Sequence, residues 1–180
     1  MATYFMADLH LDHESVIEFG ARPFANVDEM NEKLIANWND KVTDDDDVFI
    51  IGDLFFRCKV PEAIAMVRRL KGKKHLIIGN HDFKYLKTVE FRDLFVEIES
   101  LYEMDLDGER LVLCHYPIAE WNGYFRGAWH IYGHIHNAKN PVYDYMRTLE
   151  RALNAGAEVV GYAPVTFEEL KKCNEEYRGE

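Results

Sequence analysis

The sequence is short of positive charge. Its 21 Lys and Arg stand against 32 Asp and Glu, giving a formal net charge of -11 and a pI near 5.2. Non-specific binding to nucleic acid or to an anionic membrane needs a basic patch that releases counterions, so neither partner is expected. Cysteine is scarce as well. Cys58, Cys114 and Cys173 are an odd number without CxxC spacing, which argues against a disulfide framework and against a cysteine zinc site. No stretch approaches the roughly 20 apolar residues that span a bilayer. Met1 leads straight into the apolar residues 3–7, without a basic segment, a long apolar segment or a cleavage site. These absences predict a cytoplasmic protein in a reducing compartment.

What is present is enough apolar material for a core. At 48% hydrophobic and 13% aromatic over 180 residues, one domain covering 1–180 is expected, with no repeat, low-complexity tract or linker. After a first strand, Met30, Leu34, Trp38 and Val42 recur at four-residue spacing, predicting an amphipathic helix over 27–42 with Asn26 as its N-cap. The run Asp44-Asp45-Asp46-Asp47 lacks the central Gly of a calcium loop and is expected to be a solvated turn. It leads into a buried strand, 48–51. Pro61 opens a second helix that stops near Gly72, and 75–78 is again a strand. Residues 101–106 and 110–114 flank Asp107-Gly108, a hairpin signal. A strand over 129–132, short strands or turns near 159–160 and 165–167, and a helix over 167–177 capped by Thr166 complete an α/β chain.

Five clusters of potential metal ligands follow these apolar runs: Asp8-Leu9-His10, Gly52-Asp53, Gly79-Asn80-His81-Asp82, His115, and Gly133-His134-Ile135-His136. In an extended strand end, residues two apart share a face, so Asp8 with His10, and His134 with His136, can each serve one ion. Carboxylates, imidazoles and one amide suit Mn, Fe, Co, Ni or Zn better than Mg or Ca, which prefer all-oxygen shells. Singly, each cluster is as well explained as a structural turn, and Gly79 and Gly133 as turn glycines. Jointly they are not, because five clusters in order hold five of the eight histidines.

This ordered set resembles the calcineurin-like metallophosphoesterases, whose pattern is Asp-x-His, Gly-Asp, Gly-Asn-His-Asp or Glu, His, and Gly-His-x-His. The resemblance spans Asp8 to His136, and 154–170 is similar to the tail of small prokaryotic members. It implies a four-layer α/β/β/α sandwich of two mixed sheets and a dinuclear centre. Asp8, His10, Asp53 and His136 would hold one divalent ion and Asp53, Asn80, His115 and His134 the other, with Asp53 bridging. Such ions lie roughly 3.5 to 4 Å apart and hold a hydroxide for in-line attack on a phosphoryl group. Two such ions against two carboxylates leave a local charge near +2, so an acidic protein can still capture phosphate.

His81 matches the family's catalytic histidine, implying protonation of the leaving group. Asp82 is read either as orienting His81 or as capping a following helix. Ser/Thr protein phosphatases of this family carry an Asp three positions after the bridging Asp; here that residue is Phe56, which disfavours a protein substrate. Arg57 is either a phosphate contact or a surface cation. His13 follows Asp12, where small prokaryotic relatives usually have Gly, and is either an extra phosphate contact or a surface residue. His75 and His130 lie in predicted strands and are taken as structural. Tyr116-Pro117 is expected to shape the pocket wall, while Trp121, Tyr124 and Phe125 are either a stacking platform or core.

The function implied is metal-dependent hydrolysis of a small phosphoester, diester more than monoester. A nuclease on the same fold lacks the expected basic groove here. A non-catalytic scaffold would be expected to have lost His81 or a ligand, and all are present.

Overall fold

The apolar runs form strands in two sheets. In the computed structural model, which describes residues 1–179, the first sheet contains β1 (Thr3–Met6), β2 (Asp47–Ile51), β3 (Lys73–Ile77) and β4 (Glu97–Glu99), adjacent in that order and parallel. Its antiparallel component is the bridge between Phe5 and Val165, made by two backbone hydrogen bonds of 2.8 and 3.1 Å. The second sheet contains β5 (Leu101–Leu106), β6 (Glu109–Cys114), β7 (Trp129–Tyr132) and β8 (Ala152–Asn154). Asp107-Gly108 turns β5 back on β6, and β6, β7 and β8 then run parallel.

Parallel strands require crossovers, and helices supply them. The helices are α1 (Ser15–Phe19), α2 (Val27–Lys41), α3 (Val60–Arg69), α4 (Val89–Arg92), α5 (Pro141–Met146) and α6 (Phe167–Arg178). Asn26 caps α2 by accepting the Glu29 N–H at 2.9 Å, and Thr166 with Glu169 forms a capping box on α6. Between β1 and β2, α2 buries Met30, Leu34, Ile35 and Trp38; between β2 and β3, α3 buries Ala63, Ile64 and Val67.

The two sheets face each other. Phe49 of β2 lies 5.5 Å from Tyr102 of β5 between ring centroids. Along β6, Leu111 and Leu113 join the core shared with the first sheet, while Val112 between them points outward to a second cluster with Trp121, Tyr143 and Met146. Ile131 and Leu153 follow the inner pattern, Tyr132 and Ala152 the outer one. With α2 and α3 outside the first sheet and α5 outside the second, the layers are α/β/β/α. The edge between the sheets is closed by α6, which packs on β1 and β8.

The aspartate run is a turn, but its four members differ. Asp44 and Asp45 are exposed. Asp46 is buried and accepts hydrogen bonds from the Ala2 and Thr43 backbone N–H groups and the Thr43 hydroxyl. The elements without a clear sequence signal, α1, α4, α5, β4 and β8, are three to six residues long, too short for a period to register.

Candidate metal centre

Every ligand cluster lies just beyond the C-terminal end of a parallel strand: β1, β2, β3, β6 and β7. The backbone there is not extended, contrary to the spacing argument. Asp8, His10, Asp53, His134 and His136 all have left-handed φ, between 49° and 72°. Such a conformation costs an L-residue roughly 1–2 kcal/mol, so the surrounding chain must hold it. The loop after β1 is pinned to the loop after β2 by three backbone bonds, Asp8 N–H to Gly52 O, His10 N–H to Asp53 O and Leu11 N–H to Leu54 O, at 2.9–3.0 Å.

The hooked loops bring two sets of donor atoms together. Asp8, His10 and His136 form one, and Asp53, His115 and His134 the other, each with donors within 4.8 Å of one another. His134 and His136 therefore fall in different sets, as the family pattern implies and simple strand alternation does not. Asn80 joins the second set: its Oδ1 is 3.1 Å from His115 Nε2 and 2.9 Å from His134 Nδ1. Asp53 lies between them. Its Oδ2 is 3.7 Å from His10 Nε2 and 3.4 Å from His115 Nε2.

The donors fit a divalent cation on two grounds. His10 Nε2 is fully buried without a hydrogen-bond partner and faces the Asp8 and Asp53 carboxylates, a gap that a Lewis acid would fill. The mixture of imidazole, carboxylate and amide is that of borderline transition ions. Burial alone would lower the His115 pKa, yet the Asp53 and Asp8 carboxylates and the Ile51 carbonyl lift it to about 9. Burial works to raise Asp53, but the His115 hydrogen bond and charge and the His81 N–H hold it at about 2. Asp8, fully buried, is pushed up to about 6.

Three of the four imidazoles are aimed by their other nitrogen. His115 Nδ1–H donates to Ile51 O at 2.9 Å, which turns Nε2 toward Asp53 and Asn80, where a metal would sit. His136 Nδ1 lies 3.1 Å from Glu158 Oε1. His10 Nδ1 lies 3.3 Å from His13 Nδ1, whose Nε2 reaches Ser15 Oγ at 2.9 Å. A relay in which His10 donates to His13 and His13 to Ser15 satisfies all three groups.

The motif glycines are more than turn residues. A Cβ on Gly133 would lie 2.6 Å from both Asp8 Oδ2 and the Ala7 methyl, and one on Gly79 would run into Asp53. Both glycines admit a ligand carboxylate against the backbone.

His81 stands at the mouth, with Nε2 3.8 Å from Asp53 Oδ2 and a side chain 37% exposed. Its ring is met edge-on by Phe56, at 4.7 Å. Asp82 matches neither sequence reading. Its buried carboxylate makes no hydrogen bond to the His81 ring and caps no helix; it accepts the backbone N–H groups of Gly79, Asp53 and Leu54. His13 is likewise no surface residue. It is buried, packed on Phe56 at 4.1 Å, and its pKa is lowered to about 4 by burial. Arg57 is exposed and leans over the Phe56 ring.

Two clefts open nearby, one lined by His13 beside His10 and one by His134 and His136 themselves. One, of about 620 Å³, is lined by Asp12, His13, Ser15, Phe56 and Arg57 among others; the other, of about 380 Å³, by Phe19, Pro117, His134, His136 and Val142 among others. Tyr116 packs edge-on against His134, in keeping with a wall residue. His75 and His130 are structural: the first contacts Asp47 and Glu97, the second is fully buried. Trp121 belongs to the outer core and Phe125 is exposed.

A family model described as the calcineurin-like phosphoesterase superfamily domain matches residues 1–162. The chain belongs to that superfamily. It is 34% identical over 173 residues to an uncharacterized protein of Methanocaldococcus jannaschii, covering 96% of this chain and 90% of that one. Over 83 residues it is 35% identical to the gene 66 protein of Mycobacterium phage L5, covering 44% of this chain and 39% of the phage protein. In shape it is similar to a protein of unknown function from Aquifex aeolicus, with a TM-score of 0.73 at 24% identity and coverage of 94% and 97%. Among the described residues of this superfamily member, no helix is long and apolar enough to cross a membrane.

Sequence reasoning missed three residues behind the centre. Glu158 and Arg22 form a buried ion pair at 2.8 Å beside His136, and Asn154 Nδ2–H donates to the His136 carbonyl at 2.8 Å. Nothing in the spacing of Arg22 announces this role. The other two fall in the segment that resembles the family tail.

Proposed function

We propose that this superfamily member is a two-metal phosphohydrolase acting on a small phosphodiester. The observation that carries the reading is the placement of Asp53 Oδ2 within 4 Å of imidazoles from both donor sets, the position a bridging ligand needs. Asp8, His10, Asp53 and His136 would hold one divalent ion, and Asp53, Asn80, His115 and His134 the other. When bound, two such ions polarise a phosphoryl group and make water a nucleophile at neutral pH.

The chain's own residues supply the rest. His81, exposed at the mouth and steered by Phe56, is placed to give its Nε2 proton to the departing oxygen. His13 holds His10 in the tautomer that leaves Nε2 free, and Asp82 fixes the backbone on both sides of Asp53. Arg57, at the rim of the larger cleft, is placed to meet a substrate anion. A diester has two alcohol arms; one cleft takes in His134 and His136 themselves and the other is lined by His13, which contacts His10, and this supports diester over monoester. The unpaired cysteines accord with action in the cytoplasm.

The test is hydrolysis of bis-p-nitrophenyl phosphate and p-nitrophenyl phosphate by metal-stripped protein, with Mn, Ni, Co, Fe, Zn or Mg restored singly and Mn first. Metal-dependent turnover with the diester favoured is expected. Silence with every ion, in protein that binds two, would move the reading to a non-catalytic scaffold.

A further inference from the structure

We propose that the buried Arg22–Glu158 pair is the positioning device of the Asp8, His10 and His136 set, and governs cation affinity there while leaving the other set untouched. The proposal rests on the two-metal reading. The pair cannot touch substrate, since the Arg22 and Glu158 side chains are 0% and 2% exposed. Arg22 also touches Met30 Sδ at 3.6 Å and lies over the Tyr162 ring, but its oxygen partners and those of Glu158 lie along the walls of one donor set. Arg22 Nη2–H donates to the Asp8 carbonyl at 2.6 Å and Nη1–H to the Leu9 carbonyl at 2.7 Å, gripping the left-handed hook from which Asp8 and His10 project. Its Nε–H and Nη2–H converge on Glu158 Oε1 at 2.9 and 2.8 Å, and the same oxygen faces His136 Nδ1 at 3.1 Å. One guanidinium and one carboxylate oxygen therefore tie together all three members of the set.

The segments joined are far apart in sequence. Arg22 follows α1, Asp8 and Leu9 follow β1, His136 follows β7 and Glu158 follows β8. Here the sheets also meet, through the backbone bond from Ala7 N–H to Ala155 O at 2.7 Å. A buried ion pair adds little net stability, because desolvation offsets the attraction, so its main effect is geometric. An anionic partner behind an imidazole both fixes the tautomer and strengthens the opposite nitrogen as a ligand. The second donor set has carboxylates only on its backbone, Asp82 on the Asp53 N–H and Asp8 on the His134 N–H, while its His115 ring is aimed by a backbone carbonyl and contacts the Asn80 amide. The two positions are thus supported by different chemistry, and their affinities are separable.

The experiment is calorimetric titration of metal-free full-length protein with MnCl2, comparing wild type, Glu158→Gln, Arg22→Lys and His115→Ala, with a thermal melt of each. Wild type is expected to show two binding events. Glu158→Gln is expected to weaken one of them by roughly 10- to 100-fold and leave the other in place, as removal of a partner behind a ligating histidine typically does. Arg22→Lys, which keeps the charge but loses the fork, should weaken the same event, and His115→Ala the other. Equal weakening of both events in Glu158→Gln, or a lower melting temperature with both affinities intact, would overturn the proposal and leave the pair a structural one. Fewer than two ions on wild type would instead overturn the two-metal reading itself, and this inference with it.

Discussion

The carboxylate of Asp82 lies behind Asp53, not beside His81: it accepts the Asp53 backbone N–H at 2.9 Å, along with those of Gly79 at 2.8 Å and Leu54 at 3.2 Å. Its pKa, pushed up by burial to about 6, reflects how little solvent reaches it. Asp82→Ala leaves three buried donors unpaired and is expected to destabilise the metal-free protein by about 3 kcal/mol or more. Asp82→Asn should do less harm, because its one oxygen serves Asp53 and Gly79 while its amide opposes Leu54 N–H. Urea unfolding of both variants checks the order; a near-neutral Asp82→Ala would contradict the bracing role.

Asp53 is placed to serve both donor sets, so Asp53→Asn is expected to release both cations and His115→Ala chiefly one. Elemental analysis after gel filtration reads this directly. Two retained ions in Asp53→Asn would refute the bridging assignment.

If His81 protonates the leaving oxygen, the penalty for losing it should depend on how much that oxygen needs a proton. With a methyl or nucleoside leaving group, His81→Ala is expected to reduce kcat roughly 100-fold or more. With p-nitrophenolate, which departs readily as an anion, the reduction should be much smaller. An equal loss for both leaving groups would remove the acid role.

His130 gives the fold a pH dependence of its own. Its Nδ1–H donates to Val112 O at 3.0 Å and its Nε2 accepts the Ile118 N–H at 3.1 Å, so only the neutral ring satisfies both neighbours. Burial lowers its pKa from 6.5 to about 4. Because the folded value lies below the unfolded one, its contribution is complete above about 6.5 and is lost as pH falls through about 4. The amount is on the order of 3 kcal/mol. Urea unfolding from pH 7 to pH 4 should therefore show wild type losing more stability than His130→Gln, and parallel curves would refute the assignment.

Much of this was legible beforehand. The ligand clusters announce themselves because each follows an apolar run, and α2 because Met30, Leu34 and Trp38 keep one face over about two turns. The hooks at Asp8 and His10 were not, since left-handed φ at a non-glycine residue leaves no compositional mark. Local pattern failed most clearly for His13 and Asp82. His13 turns back on His10, and Asp82 turns away from its neighbour His81 to brace Asp53; which way a side chain turns is decided by segments distant in the chain. Arg22 is the extreme case: its partner lies 136 positions on.

Each donor set is drawn from both sheets: Asp8 and His10 against His136, and Asp53 against His115 and His134. A cation in either position is therefore a rivet through the sandwich, and sliding one sheet over the other would pull its ligands apart. Ions held this way stabilise the closed form by mass action, by about 4 kcal/mol at a thousandfold excess over the dissociation constant. Metal scarcity then acts as more than a loss of catalysis. If the sets bind metal as proposed, metal-free protein is expected to be cut faster by protease than protein given back its cations.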